Sequence, residues 1–198
     1  MYGNREDAKV RESDAISSPS SVYGASKAAG EALCHSFHSL FGINISIARI
    51  FGPIYGPFQR PYGMLHQRVI NYNHNNREIL IFGKDGLDTA KDSTYIDDTI
   101  QGILLCLDKN IKFDVFNIGT SDPKPIRLWL ELIEEEMKKK VLYRRIDVDR
   151  ADVVSSADLS KSKEILGYSP KIDVITGIRR QVEIFNETPT WYKRMKNI

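Results

Sequence analysis

The chain has only two cysteines in 198 residues, Cys34 and Cys106, and neither sits in a set with metal-ligand spacing. A disulfide framework and a zinc site are both excluded on that count, so no metal is expected. Each cysteine falls in a stretch of apolar residues at helical spacing, and both read as buried, reduced thiols. No apolar run reaches the length of a membrane span, and no secretory leader pattern is present. With free thiols, this points to the cytoplasm. Charge of neither sign dominates. Twenty-eight bases against 26 acids, interspersed, leave a net charge of +2. That balance supplies no basic footprint for nucleic acid and no lipid-binding stripe. Also missing is any glycine-rich loop of the kind that cradles phosphates. What remains is an ordinary globular composition, long enough for one domain with a sizeable core.

The most informative stretch that is present is Ser21–Glu31, SVYGASKAAGE. It places Tyr23 and Lys27 at i and i+4, on one face of a helix. An ammonium beside a phenol favours the phenolate, and a tyrosine so placed can exchange protons near neutral pH. Gly24, Ala25, Ser26, Ala28, Ala29 and Gly30 keep the helix slim enough to lie against a flat ligand or another helix.

Along the chain, Ser18–Ser21 supplies capping chemistry for a helix over 22–41, with apolar residues at helical spacing and Gly42 as its stop. Ile43–Arg49 is β-branched and alternating, a buried strand. Ile50–Gly63, rich in glycine and proline, reads as a loop. Helices are expected over 64–76, 97–108, 126–139, 159–166 and 174–185, and strands over 78–82, 113–118 and 141–146, with a short extended piece at 93–96. Asp97 and Asp98 read as the cap of the helix that follows them. Glu134–Glu136 followed by Lys138–Lys140 reads as a solvated helix end whose charges suit the dipole. Alternation of helices with strands argues an α/β chain with parallel pairing.

SVYGASKAAGE, the loop RIFGPIYGPFQRP, STYIDD, VFNIGTSDPKPI and ADLSKSKEILGYSPK, in that order, resemble the extended short-chain dehydrogenase/reductase group. Within it the likeness is to NAD-dependent nucleotide-sugar epimerases and dehydratases, most of all UDP-glucuronate 4-epimerases. The resemblance runs from Met1 to about Phe185. It implies the C-terminal part of a Rossmann-type doubly wound parallel sheet plus a small α/β substrate-binding region. Residues 1–57 would be the remnant of the NAD-binding domain and 58–198 the region that takes a UDP-sugar. It further implies that Tyr23 is the catalytic base and Lys27 its tuner, both touching NAD, with Phe51 lining the nicotinamide pocket. Arg60 would pair with the substrate carboxylate, a group that guanidinium grips through two hydrogen bonds. Lys91 stands where the family has an arginine on the diphosphate, and keeps the charge without the fork. Such enzymes are commonly homodimers paired through two helices of the Rossmann half, and the helix at 22–41 would be one of them. Its Leu33, Phe37 and Leu40 stripe fits that role, and core packing accounts for it equally well.

Three departures from the family pattern stand out. The loop between Arg49 and Arg60 is one residue longer. Gly52 replaces a side chain, often Thr, that helps hold substrate. The Val-Tyr-Gly of the family begins here as Met1-Tyr2-Gly3, so the preceding Ser/Thr, the glycine-rich loop and most strands of the dinucleotide fold would lie before the first residue. The chain is therefore expected to expose apolar surface on its first helix and strands. A non-catalytic module that binds a UDP-sugar or a protein partner is the alternative from another class. UDP-glucose 4-epimerase and 4,6-dehydratase are the alternatives within enzymes. A Golgi-membrane location is the alternative to cytoplasm should an anchor precede the chain.

Overall fold

The structure is a computed structural model describing residues 9–14, 19, 21–60, 63–83, 86–148 and 156–194. Met1-Tyr2-Gly3 lies outside the described residues. The elements run β1 (Lys9–Val10), α1 (Val22–Phe41), β2 (Ile45–Ile50), β3 (Ile54–Tyr55), α2 (Leu65–His74), β4 (Ile79–Phe82), β5 (Ala90–Lys91), β6 (Thr94–Tyr95) and α3 (Ile96–Asp108). They continue with β7 (Phe113–Ile118), β8 (Lys124–Pro125), α4 (Ile126–Met137), β9 (Tyr143–Ile146), β10 (Ser156–Ala157), a π-helical turn at Ser162–Leu166, α5 (Val174–Glu187) and α6 (Thr190–Lys193). This is an α/β fold. Among the described residues four of the five strand pairs are parallel, and the longest, β2 with β7, runs over Ile45–Ile50 and Phe113–Ile118. β5 and β8 pair antiparallel.

Local chemistry sets α1 as its sequence requires. Ser21 Oγ accepts from the Gly24 N–H at 3.0 Å, and Gly42 closes the helix in the left-handed region at φ +66°. Only Ile43 and Asn44 separate Gly42 from β2, so α1 and β2 run in opposite directions and lie side by side. Glu31 and Arg49 lock them together through hydrogen bonds of 2.8 and 2.7 Å, both side chains largely buried. A buried bidentate pair of this kind fixes rotation as well as separation.

Two cores form. One joins α2, β4, α4 and α5 around Ile70, Ile79, Ile133, Ile178 and Phe185. The other gathers Val10, Phe51, Cys106, Phe116, Ile118, Leu166 and Tyr168. Each draws on segments well separated in the chain, and β7 crosses back to pair with β2. Cys106 is buried and its thiol is pushed up by burial, whereas Cys34 on α1 is only half-buried, against the expectation for it.

Of the two readings of Leu33, Phe37 and Leu40, packing into a core is not what the structure shows, while the exposed apolar surface expected on the first helix is present. They are 60%, 50% and 76% exposed, because none of the described elements covers the outer side of α1. On α3, Ile100, Ile103, Leu104 and Leu107 are exposed as well. Other differences are local. The loop at 50–63 contains β3, which exists through its pairing with β6, a long-range contact without local signal. The Leu159–Leu166 helix is a π-turn, and α6 is too short to show periodicity. No helix among the described residues is long and apolar enough to cross a membrane.

His66 on α2 is fully buried, with its ring 3.6 Å from that of Trp129 and 4.6 Å from that of Tyr55. Neither ring nitrogen finds a hydrogen-bond partner. Burial holds its pKa well below the ordinary 6.5, so the folded protein keeps this ring neutral. The unfolded chain takes up the proton as pH falls through ~6.5, which withdraws stability at up to ~1.4 kcal/mol per pH unit. Urea unfolding at pH 7.5 and 5.5 should show that loss in the wild type, and His66→Phe should lose roughly 1 kcal/mol less over the same interval. Equal losses in both proteins would show that His66 is not the group responsible.

Candidate active site

Ligands of open α/β sheets bind beyond the carboxyl ends of the strands. Because α1 runs opposite to β2, the first turn of α1 and the last residue of β2 share that end. Tyr23 stands there, 71% exposed, with Lys27 Nζ 5.3 Å from the centre of its ring. Phe51, the residue after β2, is buried at the same end. Its N–H donates to the Ile118 carbonyl at 2.8 Å, and its own carbonyl accepts from Thr94 Oγ1 at 3.5 Å. The fold therefore sets a phenol and an ammonium, open to a ligand, at the end marked by a buried aromatic.

Gly52 follows at φ +60°, and a Cβ there would lie 1.8 Å from the Asp92 carbonyl oxygen. No side chain fits, which gives a physical reason for the glycine at this position. Asp92 is the residue that sequence reasoning missed. It is 1% exposed, and its carboxylate accepts from the Thr120 N–H at 2.8 Å, Thr120 Oγ1, the Ser121 N–H at 3.1 Å, Ser156 Oγ at 3.4 Å and the Ala157 N–H at 2.9 Å. A lone aspartate after Lys91 carries no periodic signal, and its donors lie 28 or more residues away in the chain.

Lys91 precedes it in β5, half-buried, directly opposite Lys124 of β8. Lys124 is in turn paired with Asp122 at 2.8 Å. Arg60 is exposed on the loop before α2, where the Gly63 N–H donates to its carbonyl at 3.0 Å. The structure thus brings Tyr23 to Lys27, and Phe51 to the Asp92–Lys91 strand, while Arg60 stands on a separate loop.

Asp97 and Asp98 do not cap α3. Tyr95 occupies the cap position and makes no side-chain cap bond. Asp98 is buried and accepts from the Lys171 and Ile172 N–H groups, both at 2.9 Å, so it ties the approach to α5 onto the start of α3. Asp97 is exposed, 3.8 Å from Arg180. The helix start is legible in sequence, but a carboxylate one turn in can serve a distant backbone as readily as its own.

A cleft of about 470 Å³ lies between Arg11, Asp114, Asp158 and Lys161, and none of the expected site residues lines it. A small cavity of about 40 Å³ opens beside Ser93, Lys124 and Tyr55. Among the described residues no group of three or more His, Cys, Asp or Glu is placed to hold a metal ion.

Asp92→Asn should destabilise the fold by roughly 2–4 kcal/mol, since an amide arm would turn a donor toward donors in a dry network. Chemical denaturation reads this directly. A change below ~0.5 kcal/mol would mean the network is not formed.

Known proteins share both sequence and fold with this chain. Residues 1–119 match the model of the NAD dependent epimerase/dehydratase family. A UDP-glucuronate 4-epimerase of Thermodesulfobacterium geofontis is 35% identical over 183 residues, covering 91% of this chain and 55% of its own length. An uncharacterised protein of Methanocaldococcus jannaschii is 32% identical over 98% of this chain and 59% of its own. The crystal structure of UDP-glucuronic acid 4-epimerase from Bacillus cereus, in complex with UDP-glucuronic acid and NAD, superposes with a TM-score of 0.82 at 32% identity. It covers 94% of this chain and 58% of that one. The chain thus spans a little over half the length of these relatives. On the family match over residues 1–119 and the shared fold, the chain belongs to the NAD-dependent epimerase/dehydratase family.

Proposed function

We propose that this chain carries the proton-transfer and substrate-binding part of an NAD-dependent UDP-sugar 4-epimerase, with UDP-glucuronate and UDP-galacturonate as the pair interconverted. The observation that carries this reading is the Tyr23–Lys27 pair standing exposed at the carboxyl end of β2. Residues 1–57 are assigned to the dinucleotide side and 58–198 to the sugar-nucleotide side. The UDP-glucuronate 4-epimerase relative and the Bacillus cereus complex with UDP-glucuronic acid and NAD support the reading of the substrate and cofactor.

The residues present fit the nicotinamide end of a dinucleotide: an open phenol and ammonium at the strand end that buries Phe51. No run in the chain fits the pyrophosphate, which calls for a glycine-rich turn at a helix start. NAD, when bound, supplies the hydride acceptor. Tyr23, as phenolate, takes the proton of the C4 hydroxyl, and Lys27 stabilises that phenolate and donates to the ribose. The 4-keto sugar turns over, and Tyr23 returns the proton as hydride is delivered to the other face. Arg60 receives the uronate carboxylate and Lys91 the diphosphate. These roles use hydrogen bonding and charge, with no call on a metal. The exposed Leu33, Phe37 and Leu40 face of α1 suits pairing with a second copy.

Conversion of UDP-glucuronate in the presence of NAD, followed by proton NMR of the C4 epimers, tests the assignment. Tyr23→Phe should lower turnover by about 10²–10⁴-fold, the usual worth of a positioned general base; retained turnover would sink the mechanism. Arg60→Ala should weaken UDP-glucuronate by roughly ten-fold or more and leave UDP-glucose nearly unchanged. A second reading, a UDP-sugar-binding module without catalysis, is favoured by the lack of a glycine-rich turn in these residues. Heat of UDP binding without NAD binding would support it.

A further inference from the structure

Among the described residues Phe58 is one of four non-glycine residues with positive φ, at +58°, and its side chain is 72% exposed. Both facts run against the physical default. The left-handed region costs an L-residue with a bulky side chain roughly 1–2 kcal/mol relative to the right-handed one. An aromatic ring left in water contributes nothing to offset it.

The surrounding loop is held firmly. Gln59 turns inward, its Nε2 donating to the Ile54 carbonyl at 2.7 Å, while its own carbonyl accepts from the Tyr192 hydroxyl of α6. Gly56 lies against Ile96, where a Cβ would meet the Ile96 side chain at 2.5 Å. Arg60 closes a turn through the Gly63 N–H. The inward Gln59 leaves Phe58 and Arg60, on either side of it, exposed. A strained backbone held by its neighbours, with an exposed apolar ring two residues from an exposed guanidinium, is the kind of arrangement found at ligand sites.

We propose that Phe58 is a specificity-determining residue of the site that Arg60 serves, an aromatic platform for the apolar face of a glycosyl ring whose carboxylate Arg60 grips. The inference rests on the reading of Arg60 given above. The ligand class is a nucleotide-linked uronate. A ring with C–H groups on one face and an acid at its edge satisfies the aromatic and the cation together.

Opposite signs in stability and affinity distinguish this from a merely structural turn. In the 198-residue chain, Phe58→Gly should raise the melting temperature by about 2 °C or more, because glycine accepts the left-handed backbone. It should weaken UDP-glucuronate by on the order of ten-fold in calorimetric titration and leave UDP unchanged, the size expected for losing one ring contact. Phe58→Ala should show the same loss of affinity with little change in melting temperature. Wild-type protein that binds UDP-glucuronate no tighter than UDP, or Arg60→Ala that keeps the difference, overturns the Arg60 reading and this one with it. If Arg60→Ala abolishes the difference and both Phe58 variants retain it, Arg60 stands and the platform is overturned.

Discussion

One buried carboxylate holds the candidate site in shape. Asp92 has five donors around it, drawn from the loop after β7 and from β10, and its own carbonyl presses on Gly52 at the exit of β2. Burying an ion of this kind is unfavourable unless its oxygens are fully hydrogen-bonded. Here they are, so the three segments have little freedom to move apart. Lys91 is fixed by the residue that follows it, and Phe51 by the glycine that Asp92 excludes from carrying a side chain. The surface these residues frame is therefore set from beneath, by groups that no ligand touches.

Glu31 and Arg49 do the corresponding work on the other side of β2. Their two hydrogen bonds set the rotation of α1, and the rotation of α1 decides where Tyr23 and Lys27 face. An i, i+4 pair shares a face whatever the helix orientation, but only a fixed helix turns that face toward the strand ends. The sequence shows the pair and not the lock. Glu31 closes SVYGASKAAGE and Arg49 ends the following strand, and opposite charges on consecutive elements are the only local hint that they meet.

That contrast marks what was legible. Helices and strands carried by local chemistry came through: the Ser21 cap, the Gly42 stop and the strand Phe113–Ile118 all stand where the residues put them. So did the family, since five motifs keep their order and spacing. Features made by distant partners did not. β3 exists only through β6, Asp98 serves the backbone of residues 171 and 172, and His66 shares a dry stack with Trp129 and Tyr55. A polar residue in a sequence shows what it can bond to, and only the fold shows what it does bond to.

The apolar surface of α1 and α3 follows from the same logic applied to the whole chain. β2 is packed between them, α1 held to it by Glu31–Arg49 and α3 by contacts along the strand. Among the described residues β2 pairs on one edge only, with β7. The exposed leucine, isoleucine and phenylalanine of these two helices form an apolar surface suited to further packing. Tyr23 lies on the first turn of α1, so whatever covers that surface also helps to wall in the phenol. The proposed chemistry needs such an enclosure, because a phenolate and an ammonium interact strongly only where water is kept out. On the proposed reading of Tyr23, Lys27 and Phe58, the surface beside α1 and α3 is where the dry half of the pocket has to be built.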